Sequence, residues 1–167
     1  MTTPEQRARS LGIAIPDYAD PPYGGRYGAD TLKAFHRIGD LVELSGITPE
    51  DRAGERTHPG VVGDDLTVEQ AREAARLTAV NALGMIRLAV GSLDNVAGLS
   101  RALCFVRSTP DFDRLHEVSN AATELFLDVF GPGSGAVGRA SIGVASLSRS
   151  NCFELWLSFE ARPLSGA

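Results

Sequence analysis

The stretch Gly138–Leu147 (GRASIGVASL), together with Asn151–Leu157 (NCFELWL), decides the fold of this chain. Both stretches have the composition of β-strands, and the polar residues between them predict a hairpin turn. Arg139 begins the first strand, and Glu154 lies early in the second. If the strands pair antiparallel, these two side chains can lie near the same end of the hairpin.

An Arg and a Glu on neighbouring strands have two explanations. The first is a cross-strand ion pair, which contributes little to stability at a surface and which the spacing alone favours. The second is a site for a small acidic molecule. A guanidinium group grips a carboxylate through two parallel hydrogen bonds, and a nearby carboxylate can hold or deprotonate a water molecule. The rest of the chain is needed to choose between them.

Length and charge limit the classes of function. A chain of 167 residues is long enough for one domain with a proper core. Its formal charge of -5, with Lys and Arg scattered singly, argues against a nucleic-acid partner. The N-terminus lacks the pattern of a secretory signal, and the apolar stretches are too short for a membrane span. We therefore expect a cytoplasmic protein with no membrane partner.

No motif for a cofactor or a metal is present. The three histidines are too isolated to share a metal ion, and Gly131–Gly135 lacks the Lys-Ser/Thr pair of a phosphate-binding loop. We interpret this glycine-rich segment as a flexible connector. Cys104 and Cys152 lie in strand-like segments, where small buried hydrophobic side chains are more common than a disulfide or a metal pair.

Two capping boxes, Thr3–Gln6 and Thr67–Gln70, predict helix starts. The first predicts a short helix over about residues 4–11, and the second predicts a long helix that ends at Gly91. A stripe of mostly small apolar residues at helical spacing indicates that the long helix packs closely on a sheet. The residues of this stripe are Ala71, Ala74, Ala75, Thr78, Ala82, Met85, Ile86 and Ala89.

Strands are predicted on both sides of this helix. Gly39–Asp40 is a two-residue hairpin turn between the strands Leu32–Ile38 and Leu41–Ser45. Leu99–Arg107 alternates as a further strand. Thr109–Pro110 predicts the start of a second long helix, because Thr suits the cap and Pro the first turn.

The order of elements predicts an α+β domain, a two-layer sandwich of a mixed sheet with two long helices on one face. We divide the chain into an N-terminal helix and irregular extension (1–30), the domain (31–162) and a tail (163–167). Two helices cannot cover both faces of the sheet. The face that carries Trp156 with acidic residues is therefore expected to contact another copy of the chain.

Several motifs, taken in order, resemble the RidA/YjgF family, also called endoribonuclease L-PSP or chorismate mutase-like proteins. The long N-terminus is similar to that of the family's larger subgroup. The resemblance covers most of the chain from Gly39 onward. The motifs that carry it are Gly39–Val42 with Ser45–Gly46, Asp65–Ala71 with Asn81–Leu83, Asp111–Phe112, Ser119–Asn120 with Glu124–Phe126, and the C-terminal pattern from Arg139 to Leu147 with Phe153–Leu155.

The resemblance implies a homotrimer with clefts between subunits and a reaction that needs no cofactor. In deaminase members of the family, an enamine or imine acid is hydrolysed to a 2-keto acid and ammonia. By position, Arg139 would bind the substrate carboxylate and Glu154 would orient and activate the attacking water. Asn120 would help line the pocket, and the backbone of Gly46 would contact the substrate.

Two family positions differ in this chain. The family's tyrosine before the first hairpin has no counterpart in register, and Tyr27, several residues away, is the candidate to line the pocket. The cysteine that follows the family's arginine by two residues is Ser141, whose backbone carbonyl can still hold a water. Two alternatives to a deaminase follow: a non-catalytic protein that binds a small carboxylate metabolite, and a related fold recruited to another reaction in a specialised pathway.

Overall fold

The structure is a computed structural model that describes residues 2–19 and 32–163. Tyr27, a candidate pocket residue, lies outside the described residues. The elements in chain order are α1 (Pro4–Ser10), β1 (Phe35–Ile38), β2 (Leu41–Leu44), α2 (Val68–Val90), β3 (Val96–Arg107), α3 (Leu115–Phe130), α4 (Pro132–Gly135), β4 (Gly138–Val144) and β5 (Phe153–Ala161).

The five strands form one mixed sheet in the order β1-β2-β5-β3-β4. β4 runs parallel to β3, and the other neighbouring strands are antiparallel. α2 packs on α3 and β5, and α3 also contacts β3 and β4, so the two long helices share one face of the sheet. The expected two-layer α+β architecture is confirmed.

The predicted hairpin of β4 and β5 is wrong, because β3 lies between the two strands. The chain between them has Arg149 and Ser150 in the left-handed region, with φ of 56° and 60°. Arg149 donates to Glu50 and to the carbonyl of Gly54, which holds this connection against a distant loop. The connection therefore passes the end of β3 instead of forming a tight turn, and β5 pairs with β3.

The observed helix ends agree with some of the predicted ones and differ from others. Both capping boxes are present, and α2 ends at Gly91 with φ of 81°, as expected. The second long helix begins at Leu115 and not at Thr109. The amides of Ser108 and Thr109 donate to the carbonyls of Val144 and Val62, so the chain at Thr109 is still bonded alongside the sheet. The segment that we interpreted as a flexible connector contains the short helix α4.

The segment before residue 20 packs on α2 at Gly84. A methyl group at Gly84 would lie 2.5 Å from the carbonyl oxygen of Pro16 and 2.8 Å from the ring of Tyr18. On its other side, the Tyr18 ring lies 4.6 Å beneath the guanidinium carbon of Arg52. The missing side chain at Gly84 is therefore what allows this close approach.

We expect Gly84→Ala to destabilise the protein by about 1–3 kcal/mol, because the added methyl group overpacks this contact. Alanine is the better helix former by about 1 kcal/mol, so without the contact the substitution would stabilise α2. Urea unfolding measures the difference. Gly133→Ala is the matched control, since no atom lies within 4 Å of a methyl group there. A Gly84→Ala protein at least as stable as the wild type would contradict this packing.

Glu5 joins α1 to the end of α2. Its carboxylate accepts hydrogen bonds from Arg87 Nε at 3.1 Å and Nη2 at 2.5 Å and from the backbone amide of Leu93 at 2.9 Å. Burial raises the pKa of the Glu5 carboxyl, but these hydrogen bonds and the positive charge of Arg87 outweigh it, so the pKa lies below the usual value of 4.5.

A lowered pKa means that Glu5 stabilises the fold above about pH 4.5 and loses this contribution as the pH falls through its folded pKa. We expect Glu5→Gln to cost about 1–2 kcal/mol at pH 7. The difference from the wild type should shrink as the pH is lowered below 4.5. Urea unfolding at several pH values tests this, with the exposed Glu69→Gln as the control in the first turn of α2. A difference in the free energy of unfolding between the wild type and Glu5→Gln that does not change with pH would contradict the lowered pKa of Glu5.

Candidate functional site

Arg139 lies on the helix side of the sheet, against α3. Its Nη1 donates to Asn120 Oδ1 and to Thr123 Oγ1, both at 2.9 Å. Among the residues that the structure describes, its Nε and Nη2 make no hydrogen bond and no carboxylate pairs with it. Arg139 is thus oriented by two neutral acceptors and keeps its charge and part of its donor set for a ligand.

Ser141 follows two residues after Arg139 on the same face of β4 and is partly buried. Its partner on β3 is Cys104, which is fully buried. Burial raises the pKa of the Cys104 thiol to about 11, against smaller opposing effects of Ser119 and Arg139. The Cys104 thiol is therefore protonated, and uncharged, at neutral pH. We call Arg139, Asn120, Thr123 and Ser141 the arginine group. Arg139 is its only charged member.

Glu154 lies on the other side of the sheet, beside Gly46 and Trp156. Trp156 Nε1 donates to Glu154 Oε1 at 2.7 Å. A methyl group at Gly46 would overlap Glu154 Oε1 and lie 2.9 Å from Trp156 Nε1. The candidate site residues Gly46 and Glu154 are therefore adjacent, and the absence of a side chain at Gly46 leaves room for the carboxylate. We call these three residues the glutamate group.

Backbone pairing holds Gly46 in place. Ile47 and Leu155 exchange two hydrogen bonds, of 2.9 Å and 2.8 Å, on the side of β5 that faces β2. Beyond Ile47, the buried Asn81 of α2 donates to the carbonyls of Thr48 and Glu50. The chain that carries Gly46 is thus fixed to both layers of the fold.

The two groups lie on opposite faces of the sheet. Arg139 pairs with Ala102 of β3, and Glu154 pairs with Phe105. Paired residues share a face, and residues three apart on one strand point to opposite faces. The expectation that Arg139 and Glu154 lie near the same end of one hairpin is therefore wrong: within one chain they cannot act on the same small molecule.

Sequence reasoning missed two residues of interest, Thr123 and Arg107, and one contact of Trp156. Thr123 lies one helical turn after Asn120, a spacing that places both on one face of α3. Trp156 was expected on the open face, but its bond to Glu154 was not. Arg107 lies two residues after Phe105 on β3, and its side chain is therefore on the same open face of the sheet. The alternation of β3 indicated its face, but nothing in the sequence showed that its side chain would lack a partner.

The face opposite the helices carries exposed apolar side chains. Trp156 is 51% exposed, and its ring packs edge-on against Phe105 with centroids 5.5 Å apart. The other exposed apolar residues on this face are Ile38, Leu41 and Ile142. Within residues 2–19 and 32–163, no helix has the length and apolar character required to cross a membrane.

No model of a known protein family matches the chain. Over 137 residues it is 33% identical to protein TCP17 of Trypanosoma cruzi, covering 82% of this chain and 81% of that protein. It is 30% identical to Atu1372 of Agrobacterium tumefaciens, with a TM-score of 0.83 over 96% of this chain and 93% of the other.

Two Escherichia coli structures share the fold at lower identity. The YjgF gene product matches at 18% identity and a TM-score of 0.58, covering 81% of this chain and 91% of the other. TdcF with bound serine matches at 17% identity and a TM-score of 0.57, covering 79% and 88%. The order of the sequence motifs, the relatives at 30% identity or more and the shared fold agree: the chain belongs to the RidA/YjgF family.

Proposed function

We propose that the protein is a cofactor-free hydrolase of small imino or enamino carboxylic acids. The observation that carries the proposal is Arg139, a cation held by two neutral acceptors with donors left over. Such a group suits the carboxylate of a small acid. That TdcF binds serine, which has a carboxylate, is consistent with this choice of ligand.

The active unit in this proposal is a homotrimer. The arginine group and the glutamate group face opposite sides of one sheet, so a complete site needs the arginine group of one protomer and the glutamate group of the next. The exposed apolar side chains of the open face, led by Trp156, supply a surface on which a second copy can pack. Light scattering tests this assembly, and a monomer would exclude a shared site.

In the proposed reaction, Arg139 binds the substrate carboxylate and Glu154 orients a water molecule. The water adds to the carbon of the protonated imine while Glu154 accepts one of its protons, which leaves a neutral carbinolamine. Glu154 then delivers this proton to the amine nitrogen, and the carbon–nitrogen bond breaks as the hydroxyl group gives up its proton to Glu154 and becomes the keto group. The released ammonia takes up this second proton. A protonated imine and water thus give a keto acid and an ammonium ion. The imine carbon is already electrophilic, so positioning and one carboxylate base suffice.

The experiment is to generate 2-imino acids in situ with an amino-acid oxidase and to follow ammonia and keto-acid release. We expect the protein to accelerate release and Arg139→Ala to remove the acceleration. No acceleration across a broad panel of imino acids would overturn the hydrolase.

The second candidate is a non-catalytic protein that binds a small carboxylate. The observation in its favour is the hydrogen bond from Trp156, which occupies one oxygen of Glu154 and leaves only the other oxygen to hold a water molecule. Binding of keto acids that depends on Arg139, without any hydrolysis of imino acids, would identify this function.

A further inference from the structure

The side chain of Arg107, at the end of β3, makes no hydrogen bond or ion pair with any residue in the ranges 2–19 and 32–163. Its Nε is buried and makes no hydrogen bond. None of the ion pairs between residues described by the structure includes its guanidinium group. Leaving a buried charged donor unpaired costs more than leaving a neutral one, so such a group is retained where something binds it.

Arg107 lies beside the glutamate group. It is two residues beyond Phe105, the partner of Glu154, and therefore shares the open face with Glu154. Its backbone amide donates to the carbonyl of Cys152 at 2.9 Å, which makes Glu154 its diagonal neighbour on β5. Such neighbours are about 7–8 Å apart. The two side chains form no ion pair, so a ligand group can lie between them.

The buried, unbonded Nε of the half-buried Arg107 and the position of this side chain together point to a ligand with a second acidic group. Building on the function proposed above, we propose that Arg107 binds the side-chain carboxylate of a dicarboxylic imino acid. Arg139 of one protomer holds the first carboxylate, and Arg107 and Glu154 of the next hold the second carboxylate and the water. The substrates would then be imines of acidic amino acids, formed by a reaction that oxidises such an amino acid at its α-carbon or removes a leaving group from its β-carbon.

Substrate preference tests this assignment. The imine of glutamate and the imine of alanine are formed in situ by oxidases, and kcat/KM for hydrolysis is compared. We expect the wild type to prefer the dicarboxylic imine and Arg107→Met to lose about 10- to 100-fold on it alone. Arg101→Met is the matched control, because Arg101 lies on the same strand and the same face but six residues away. Equal losses on both imines, or no loss, would overturn the role of Arg107.

Binding separates this inference from the function on which it rests. Calorimetry with 2-oxoglutarate and 2-oxobutanoate measures affinity without turnover. If Arg107→Met weakens the binding of 2-oxoglutarate alone, the role assigned to Arg107 is supported even when no imine is hydrolysed. If Arg139→Met weakens the binding of both acids and Arg107→Met weakens the binding of neither, the carboxylate site at Arg139 is supported and the role assigned to Arg107 is overturned. A change of molar mass in Arg107→Met, seen by light scattering, would make Arg107 an interface residue and also overturn it.

Discussion

Replacing Arg139 by Met is expected to lower kcat/KM for imino acids, and the affinity for keto acids, by at least about 100-fold. The substitution removes the charge and every donor that can bind the ligand carboxylate, and charged hydrogen bonds of this kind contribute about 2–5 kcal/mol. Methionine has a similar length and leaves Asn120 and Thr123 without a cation but still able to bond water. In situ imine hydrolysis and calorimetry with a keto acid measure the two effects.

The control for this experiment is Arg76→Met, which removes one exposed positive charge from α2. It reports how much of any loss is due to net charge alone. Thermal unfolding of Arg139→Met must show a folded protein, because its hydrogen bonds to α3 also contribute to packing. A folded Arg139→Met protein with unchanged affinity for keto acids would show that the carboxylate is bound elsewhere.

Glu154→Gln is expected to lower kcat by about 100- to 10,000-fold with little change in the affinity for keto acids, because it removes the base and keeps the shape. The more decisive result comes from combining the two variants. Each variant protein alone is expected to be inactive, since each lacks one half of every site. Co-expressed, they should form trimers in which some clefts join an intact Arg139 to an intact Glu154.

For random assembly of a cyclic trimer, about a quarter of the clefts are intact, so the mixture should recover about a quarter of the wild-type activity. The reason is geometric: the arginine group and the glutamate group lie on opposite faces of the sheet of one chain. A mixture of the separately purified trimers, kept from exchanging subunits, is the control. Co-expressed protein with no more activity than either variant alone would contradict a site shared between protomers.

Local signals in the sequence predicted most of the elements. Thr3 and Thr67 cap helices because a side-chain oxygen and a following Gln satisfy free backbone groups at once, whatever the rest of the chain does. Alternation placed Trp156 on the open face for the same local reason. Thr109 shows the limit of such signals: it is a good cap, but its backbone is bonded to Val62, and the helix begins later.

The candidate site was predicted residue by residue but not as an arrangement. Asn120 and Arg139 do meet, and so do Gly46 and Glu154. The arginine group and the glutamate group are separate because β3 lies between β4 and β5. No pattern within β4 or β5 encodes this position of β3. Arg107 was missed for a related reason. Whether its side chain has a partner depends on residues that are distant in the sequence but pack around it in the fold.

The sequence alone determined where helices and strands form, which faces are apolar and which residue types are present to bind an acid, because each depends on neighbours within a few positions. The tertiary structure alone decided which strands are adjacent, that Arg139 and Glu154 lie on opposite faces, and that Arg107 has no partner in the part of the chain that the structure describes. These depend on the long-range pairing of β5 with β3, which results from the packing of the whole sheet under two helices.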